Sequence, residues 1–260
     1  MKYVCIICAA LSICTGARAD ILLPLDVTGW NQDIVIEKTA TVPHSNYATT
    51  TLDGNTYYYE SGLPNGTKGL PQNGSIIASS INTQFQLQPY NQNNALFIAD
   101  SSPRTLTLTT PAALSQVAIL ASSAGAPGTA NGLVAIHWSN SGTSTYNYAA
   151  NDWFSPDVST ATGSYGRTDS SNFQDGPNSG ELFYTQLDLS TDANYLNGAS
   201  IVDLSFTRGT GAYTAFSTSI LGVSGVASVP VPKTLWLSIL PLLIVGTRRR
   251  VRHDRAFAVK

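Results

Sequence analysis

Six Asn-Gly or Asp-Gly dipeptides punctuate this chain: Asp53-Gly54, Asn65-Gly66, Asn73-Gly74, Asn131-Gly132, Asp175-Gly176 and Asn197-Gly198. Such pairs accept positive φ and close tight hairpins, so they constrain the fold towards short antiparallel strands. The runs between them are short and rich in β-branched and aromatic residues. Thr105 to Thr109 alternates Thr with Leu, which predicts a strand with its leucines facing inward. Val117 to Ala121 is apolar throughout, as a fully buried strand would be. Leu133 to Trp138 places Val134, Ile136 and Trp138 on one face, and Thr143 to Tyr148 pairs Tyr146 with Tyr148. Leu182 to Leu189 and Ile201 to Phe206 continue the pattern, the latter with Val202, Leu204 and Phe206 together, and Ala212 to Val223 closes the sheet.

Long helical periodicity is absent. Ser, Thr, Asn and Gly are abundant, while Asp, Glu, Lys and Arg make up only 12% of the chain, so exposed strand faces must be made polar mainly by neutral side chains. About ten short strands in one stretch predict an all-β fold: a single sandwich of the jelly-roll kind. A β-helix would need a fixed-period repeat, and none is present.

The two ends carry a different message. Residues 1–19 have Lys2, an apolar run from Val4 to Ile13, and Ala17-Arg18-Ala19, the pattern of a secretory signal peptide cleaved after Ala19 and handled by a Sec translocon. All three cysteines (Cys5, Cys8, Cys14) lie in this leader, so the mature chain is expected to have no thiol or disulfide. At the other end, Thr234 to Thr247 is apolar and roughly 21 Å long as a helix, short for a bilayer core of about 30 Å. Arg248, Arg249 and Arg250 follow it, a basic flank that stays in the cytoplasm. Residues 20–227 hold 15 acidic and 5 basic residues, a net charge of −10, whereas residues 228–260 carry +6. An acidic domain on the far side of a basic tail excludes nucleic-acid binding through bulk charge.

Signal peptide, large domain, Val229-Pro230-Val231-Pro232, short apolar helix and arginine cluster together resemble the PEP-CTERM sorting architecture of Gram-negative bacteria. The resemblance implies an exosortase, a membrane transpeptidase, as partner, with the chain held in the inner membrane by its C-terminal helix and then sorted to the surface or released. Val231 stands where that motif has Glu. Further stretches resemble a recurrent ectodomain type of these sorted proteins: Leu23 to Asp26, Asn31 to Lys38, Gly69 to Pro71, Pro89-Tyr90 with Asn93 to Leu96, Leu106 to Ala112, Asp152 to Phe154, Gly166-Arg167 and Val223 to Gly225. They imply a galactose-binding-like β-sandwich with no activity that carries over. The expected division is a leader to residue 19, a sandwich over 20–227, and a sorting and anchor segment over 228–260.

Catalytic chemistry finds little footing. His44 and His137 are far apart in sequence, and His253 falls in the basic tail. No Gly-x-Ser-x-Gly elbow and no Asp-rich calcium loop is present, so no catalytic residue, metal ligand set or cofactor is expected. Glu37, Glu60 and Glu181 are the only glutamates of residues 20–227, and nothing in their spacing marks the carboxylate pair that glycoside hydrolysis needs. Binding is the sharper expectation. Sugar rings stack on flat aromatic faces while Asn, Asp and Arg take their hydroxyls. The residues that fit are Asp152, Trp153, Phe154, Tyr165 and Arg167, with Trp30, Tyr90 and Asn93 as a second group. The reading is a non-catalytic, exported surface or matrix protein associated with exopolysaccharide. A carbohydrate-binding module is the alternative, and a polysaccharide-active enzyme the remote one.

Overall fold

A computed structural model describes residues 21–125, 131–149, 151–154, 161–174, 180–208 and 217–227. Ala17, Ala19, Asp175-Gly176, Pro230, Val231, Pro232, the apolar run 234–247, Arg248, Arg249 and Arg250 lie outside the described residues. No helix among the described residues is long and apolar enough to cross a membrane.

In chain order the strands are β1 (Leu23–Pro24), β2 (Val27–Thr28), β3 (Val35–Ile36), β4 (Tyr57–Tyr59), β5 (Ser75–Ala78), β6 (Thr83–Gln86), β7 (Leu96–Ile98), β8 (Arg104–Ala112) and β9 (Leu114–Ala124). They continue as β10 (Asn131–Trp138), β11 (Thr143–Ala149), β12 (Ala161–Tyr165), β13 (Arg167–Thr168), β14 (Phe173–Gln174), β15 (Gly180–Asp188), β16 (Ile201–Thr207) and β17 (Ser217–Ala227). A single turn of helix, α1 (Ala193–Leu196), precedes β16. The chain is all-β, in several sheets that are almost wholly antiparallel and include one curled into a half-barrel.

Two large sheets set the frame. One runs β1-β17-β9-β15-β12, with β7 also paired to β17; the other runs β11-β10-β16-β8-β2. They share a core. Leu106, Leu108, Val134, Ile136, Leu204 and Phe206 of the second sheet meet Val117, Ile119, Leu187, Ile220 and Val223 of the first. In β8 the expected alternation holds: Leu106 and Leu108 are buried and Thr105, Thr107 and Thr109 are exposed. The strand at residues 217–227 does more than close the sheet. β9 runs along one edge of it, and β7 and β1 share the other at Thr218–Ile220 and Ser224–Gly225.

The expectation of one two-layered body covers only these two sheets. The far face of the six-stranded sheet is covered as well, by the β5-β6 hairpin and by residues near the four-stranded sheet β14-β13-β4-β3. Successive side chains of a strand point to opposite faces. In β9, therefore, Val117, Ile119 and Ala121 enter the first core, while Ala118 and Leu120 enter a second with Phe85, Ile76, Tyr58 and Trp153. That two-sided cover is why Val117 to Ala121 reads as an unbroken apolar run.

Two sequence expectations shift for local reasons. In β16 the register with both neighbours slips at Val202, so Ile201 points inward with Leu204 and Phe206, and Val202 lies half-buried. One extra residue in a strand reverses the facing of everything before it. Asn131-Gly132 forms no turn but opens β10, where Gly132 sits opposite Tyr148. A Cβ on Gly132 would come 2.2 Å from Tyr148 Cζ. The glycine is there because the tyrosine ring lies across it, with the Tyr148 hydroxyl donating to Thr207 O at 3.0 Å. Asp53-Gly54, by contrast, makes the expected hairpin turn, with Thr56 N donating to Asp53 O at 2.8 Å.

Candidate binding cleft

The expected aromatic platform around Trp153 is a core feature. Residues 151–153 lie along β9: Ser123 N donates to Asn151 O and Trp153 N to Ser123 O, while Glu181 N reaches Trp153 O. This seats the indole under the sheet, where Trp153 is 0% exposed. Tyr58 packs edge-on against it with centroids 5.3 Å apart, and the Tyr58 hydroxyl donates to Glu181 O at 2.8 Å. Gly180 allows the approach, since a Cβ there would come 2.9 Å from both rings. The Arg167 guanidinium lies 5.0 Å from the Trp153 ring centre and 3.9 Å from that of Phe154. Burial pulls Arg167 below its ordinary pKa, against the opposing charges of Asp53 and Asp152. Asp152 Oδ1 accepts from Phe154 N and so caps the turn.

Trp153 therefore offers no ring face to a sugar, and Phe154 alone of the expected aromatics is exposed. Tyr165 is half-buried against the second core, and burial raises its pKa. Trp30 packs on the first core with its Nε1 donating to Val27 O, and Asn93 Nδ2 reaches Trp30 O. Tyr90 is buried and its hydroxyl donates to Pro71 O at 2.7 Å. The structure thus gathers Asp152, Trp153, Phe154 and Arg167 into one cluster, built on the buried Trp153 and Arg167, and the half-buried Trp30 with the exposed Asn93 into another.

Concave surface appears elsewhere, through a parallel pairing. Strands β3 and β4 run parallel, with Val35 opposite Tyr58 and Ile36 opposite Tyr59. Glu37 and Glu60 are the next residues of each, and Glu60 N donates to Ile36 O at 2.7 Å. Two glutamates are thereby delivered to the same end of one small sheet. They line a cleft of about 610 Å³. Another part of its wall is the end of β6 and the segment after it, carrying Gln86, Gln88 and Asn91. Leu87 N donates to Gly74 O at 2.8 Å and fixes that wall to the Gln72–Gly74 turn.

The two carboxylates differ. Glu60 is buried and satisfied: one oxygen accepts from Lys38 N at 2.9 Å and the other lies 3.5 Å from Lys38 Nζ. Lys38 Nζ also donates to Gln72 Oε1 at 3.2 Å, so its charge is directed to that wall. Glu37 has one buried oxygen, Oε2, with no hydrogen-bond partner among the described residues. Burial raises the Glu37 pKa, and the Glu60 charge pushes it the same way. Among the described residues no group of three or more His, Asp or Glu is placed to hold a metal. Directed acceptors and carboxamides around a hollow that Leu87, Pro89 and Tyr90 also line are suited to a ligand with both hydroxyls and apolar faces.

Sequence reasoning passed over this cleft. Glu37 and Glu60 are visible as rare glutamates, but only the parallel register of β3 and β4 puts them side by side. No protein-family model and no curated protein matches this chain.

Proposed function

We propose that the chain is an exported, non-catalytic surface protein, sorted or anchored through its C-terminal segment and associated with extracellular polysaccharide, with a jelly-roll, galactose-binding-like sandwich as its body. One observation carries this reading. The chain divides into a leader that holds every cysteine, an acidic region of net charge −10, and an apolar-then-basic tail of net charge +6. The two large antiparallel sheets facing each other across a common core support the sandwich. Exosortase and Sec translocon are its processing partners in this reading. Mass spectrometry of the surface form is the test. A mature N-terminus at Asp20 and a C-terminus near Pro232 are expected for a sorted product. An intact Lys260 in a membrane fraction marks retention, and recovery of the uncut chain, leader included, from the cytoplasm overturns the reading.

The cleft favours a second reading, a carbohydrate-binding module. It offers directed acceptors and donors in a hollow of suitable size, and it places them away from the Trp153 cluster. Saturable binding of the full chain to polysaccharide supports it. Release of new reducing ends would instead favour a polysaccharide-active enzyme.

A further inference from the structure

We propose that Lys38 and Gln72 join spontaneously through an isopeptide bond, with the Glu60 carboxylate taking the proton from the Lys38 ammonium. Such a bond needs an amine, an amide carbonyl and a carboxylate base in one place. The fold brings them there from separate segments. Lys38 follows β3, Glu60 follows β4, and Gln72 lies in the turn before β5. Lys38 Nζ is 3.2 Å from Gln72 Oε1 and 3.5 Å from Glu60 Oε1. The parallel pairing of β3 with β4 sets Lys38 beside Glu60. Ser61 N donates to Leu70 O at 2.8 Å and draws the Gln72 turn alongside.

Each group is held for its part. Glu60 is buried, and its other oxygen accepts from Lys38 N at 2.9 Å, which fixes the carboxylate beside the lysine. Gln72 Nε2, the nitrogen that must leave, donates to Ser61 O at 2.8 Å, so the carboxamide presents its carbonyl to Lys38. Gly62 makes the room, since a Cβ there would come 2.7 Å from Gln72 Nε2. The Lys38 side chain is 45% exposed. Well-oriented groups react as though at effective concentrations on the order of 10⁵ M, which offsets that exposure.

The atoms balance. The Lys38 ammonium gives one proton to Glu60, and its nitrogen attacks Gln72 Cδ. A second proton passes from that nitrogen to Nε2, the Cδ–Nε2 bond breaks, and ammonia leaves and takes up the proton that Glu60 held. An ammonium and a primary amide become a secondary amide and a free ammonium ion, with nothing oxidised or reduced. Escape of ammonia into water makes the link permanent. The stretch it closes holds little regular structure, only β4 and a short helical turn at His44–Asn46. No cysteine lies beyond residue 14 to staple it by a disulfide. A covalent link across a long loop restrains the unfolded chain as a disulfide does.

Mass spectrometry of the purified full-length chain is the test. The expected intact mass is lower than the sequence requires by one ammonia, about 17 Da. A digest should give a branched peptide that joins the Lys38 and Gln72 segments. Lys38→Arg keeps the charge and should abolish the branched peptide. Glu60→Gln should abolish it while leaving both partners present, and the arginine variant serves if this one does not fold. Two linear peptides at full mass from the unaltered chain would overturn the proposal. So would loss of ammonia without the branched peptide, as a succinimide at an Asn-Gly pair would produce. A branched peptide that persists in folded Glu60→Gln would overturn the part given to Glu60.

Discussion

Asp33 shows how much one buried side chain governs. Its Oδ1 accepts from Asn94 Nδ2 at 2.5 Å and from Val35 N, while Asn94 Oδ1 accepts from Ile34 N at 3.0 Å. These bonds tie the start of β3 to the segment before β7. Burial outweighs them and pushes the Asp33 carboxyl from its ordinary 3.8 up to about 7. The fold therefore favours the protonated form. Its contribution is fully present below pH 3.8 and is lost as pH rises through about 7. Asp100, Asp169 and Asp188, held low by donors at Ser102, Ser171 and Ser190, act in the opposite sense but only in more acidic solution. Asp33→Asn keeps the Oδ1 acceptor and removes the charge. Between about pH 5 and 8, spanning the shifted pKa, its Tm should hold steadier than that of the unaltered chain and exceed it at the alkaline end. Parallel melting curves for the two proteins would refute this.

At the scale of the element, β9 and β10 make the contrast. Both read as apolar strands, yet β9 is covered on two faces and β10 on one. Leu120 is fully buried in the second core, whereas Leu133 is 47% exposed. Leu120→Ala should cost about 2–5 kcal/mol, the range for a buried leucine whose cavity does not collapse. Leu133→Ala should stay within about 0.5 kcal/mol. Urea unfolding measures both, and equal shifts in midpoint would show that the far face of β9 is not sealed. The alternation of β8 was legible because Thr105 to Thr109 face water and core in strict turn. β16 was legible except at Val202, because a register slip leaves no mark in the residues themselves. Gly132 looked like a turn because Asn-Gly is a turn signal, and only the Tyr148 ring across the strand pair explains its presence in β10.

For the whole molecule, the placement of cysteine gives a direct measurement. All three thiols lie before residue 20, so leader removal should leave a chain that takes up no iodoacetamide after denaturation and whose Tm is indifferent to reductant. Uptake of three alkyl groups by the surface form would show that the leader is retained. Asn31, Leu25 and Gly166 sit at joints between distant segments of the molecule. Asn31 exchanges two hydrogen bonds with the Phe97 backbone, Leu25 N reaches Val223 O, and Gly166 N reaches Lys68 O.

The sequence by itself determined the all-β character, the inward face of β8, the buried run of β9, the lack of cysteine after residue 14 and the segregation of charge. Those depend on residue type and spacing within a few positions of one another. Only the tertiary structure decided that Trp153 lies in the core, that the six-stranded sheet is covered on both faces, and that Glu37 stands beside Glu60. Each is a matter of which distant strands pair and in what register. A tryptophan in a polar, glycine-rich stretch has the same local sequence whether a sheet closes over it or leaves it to solvent.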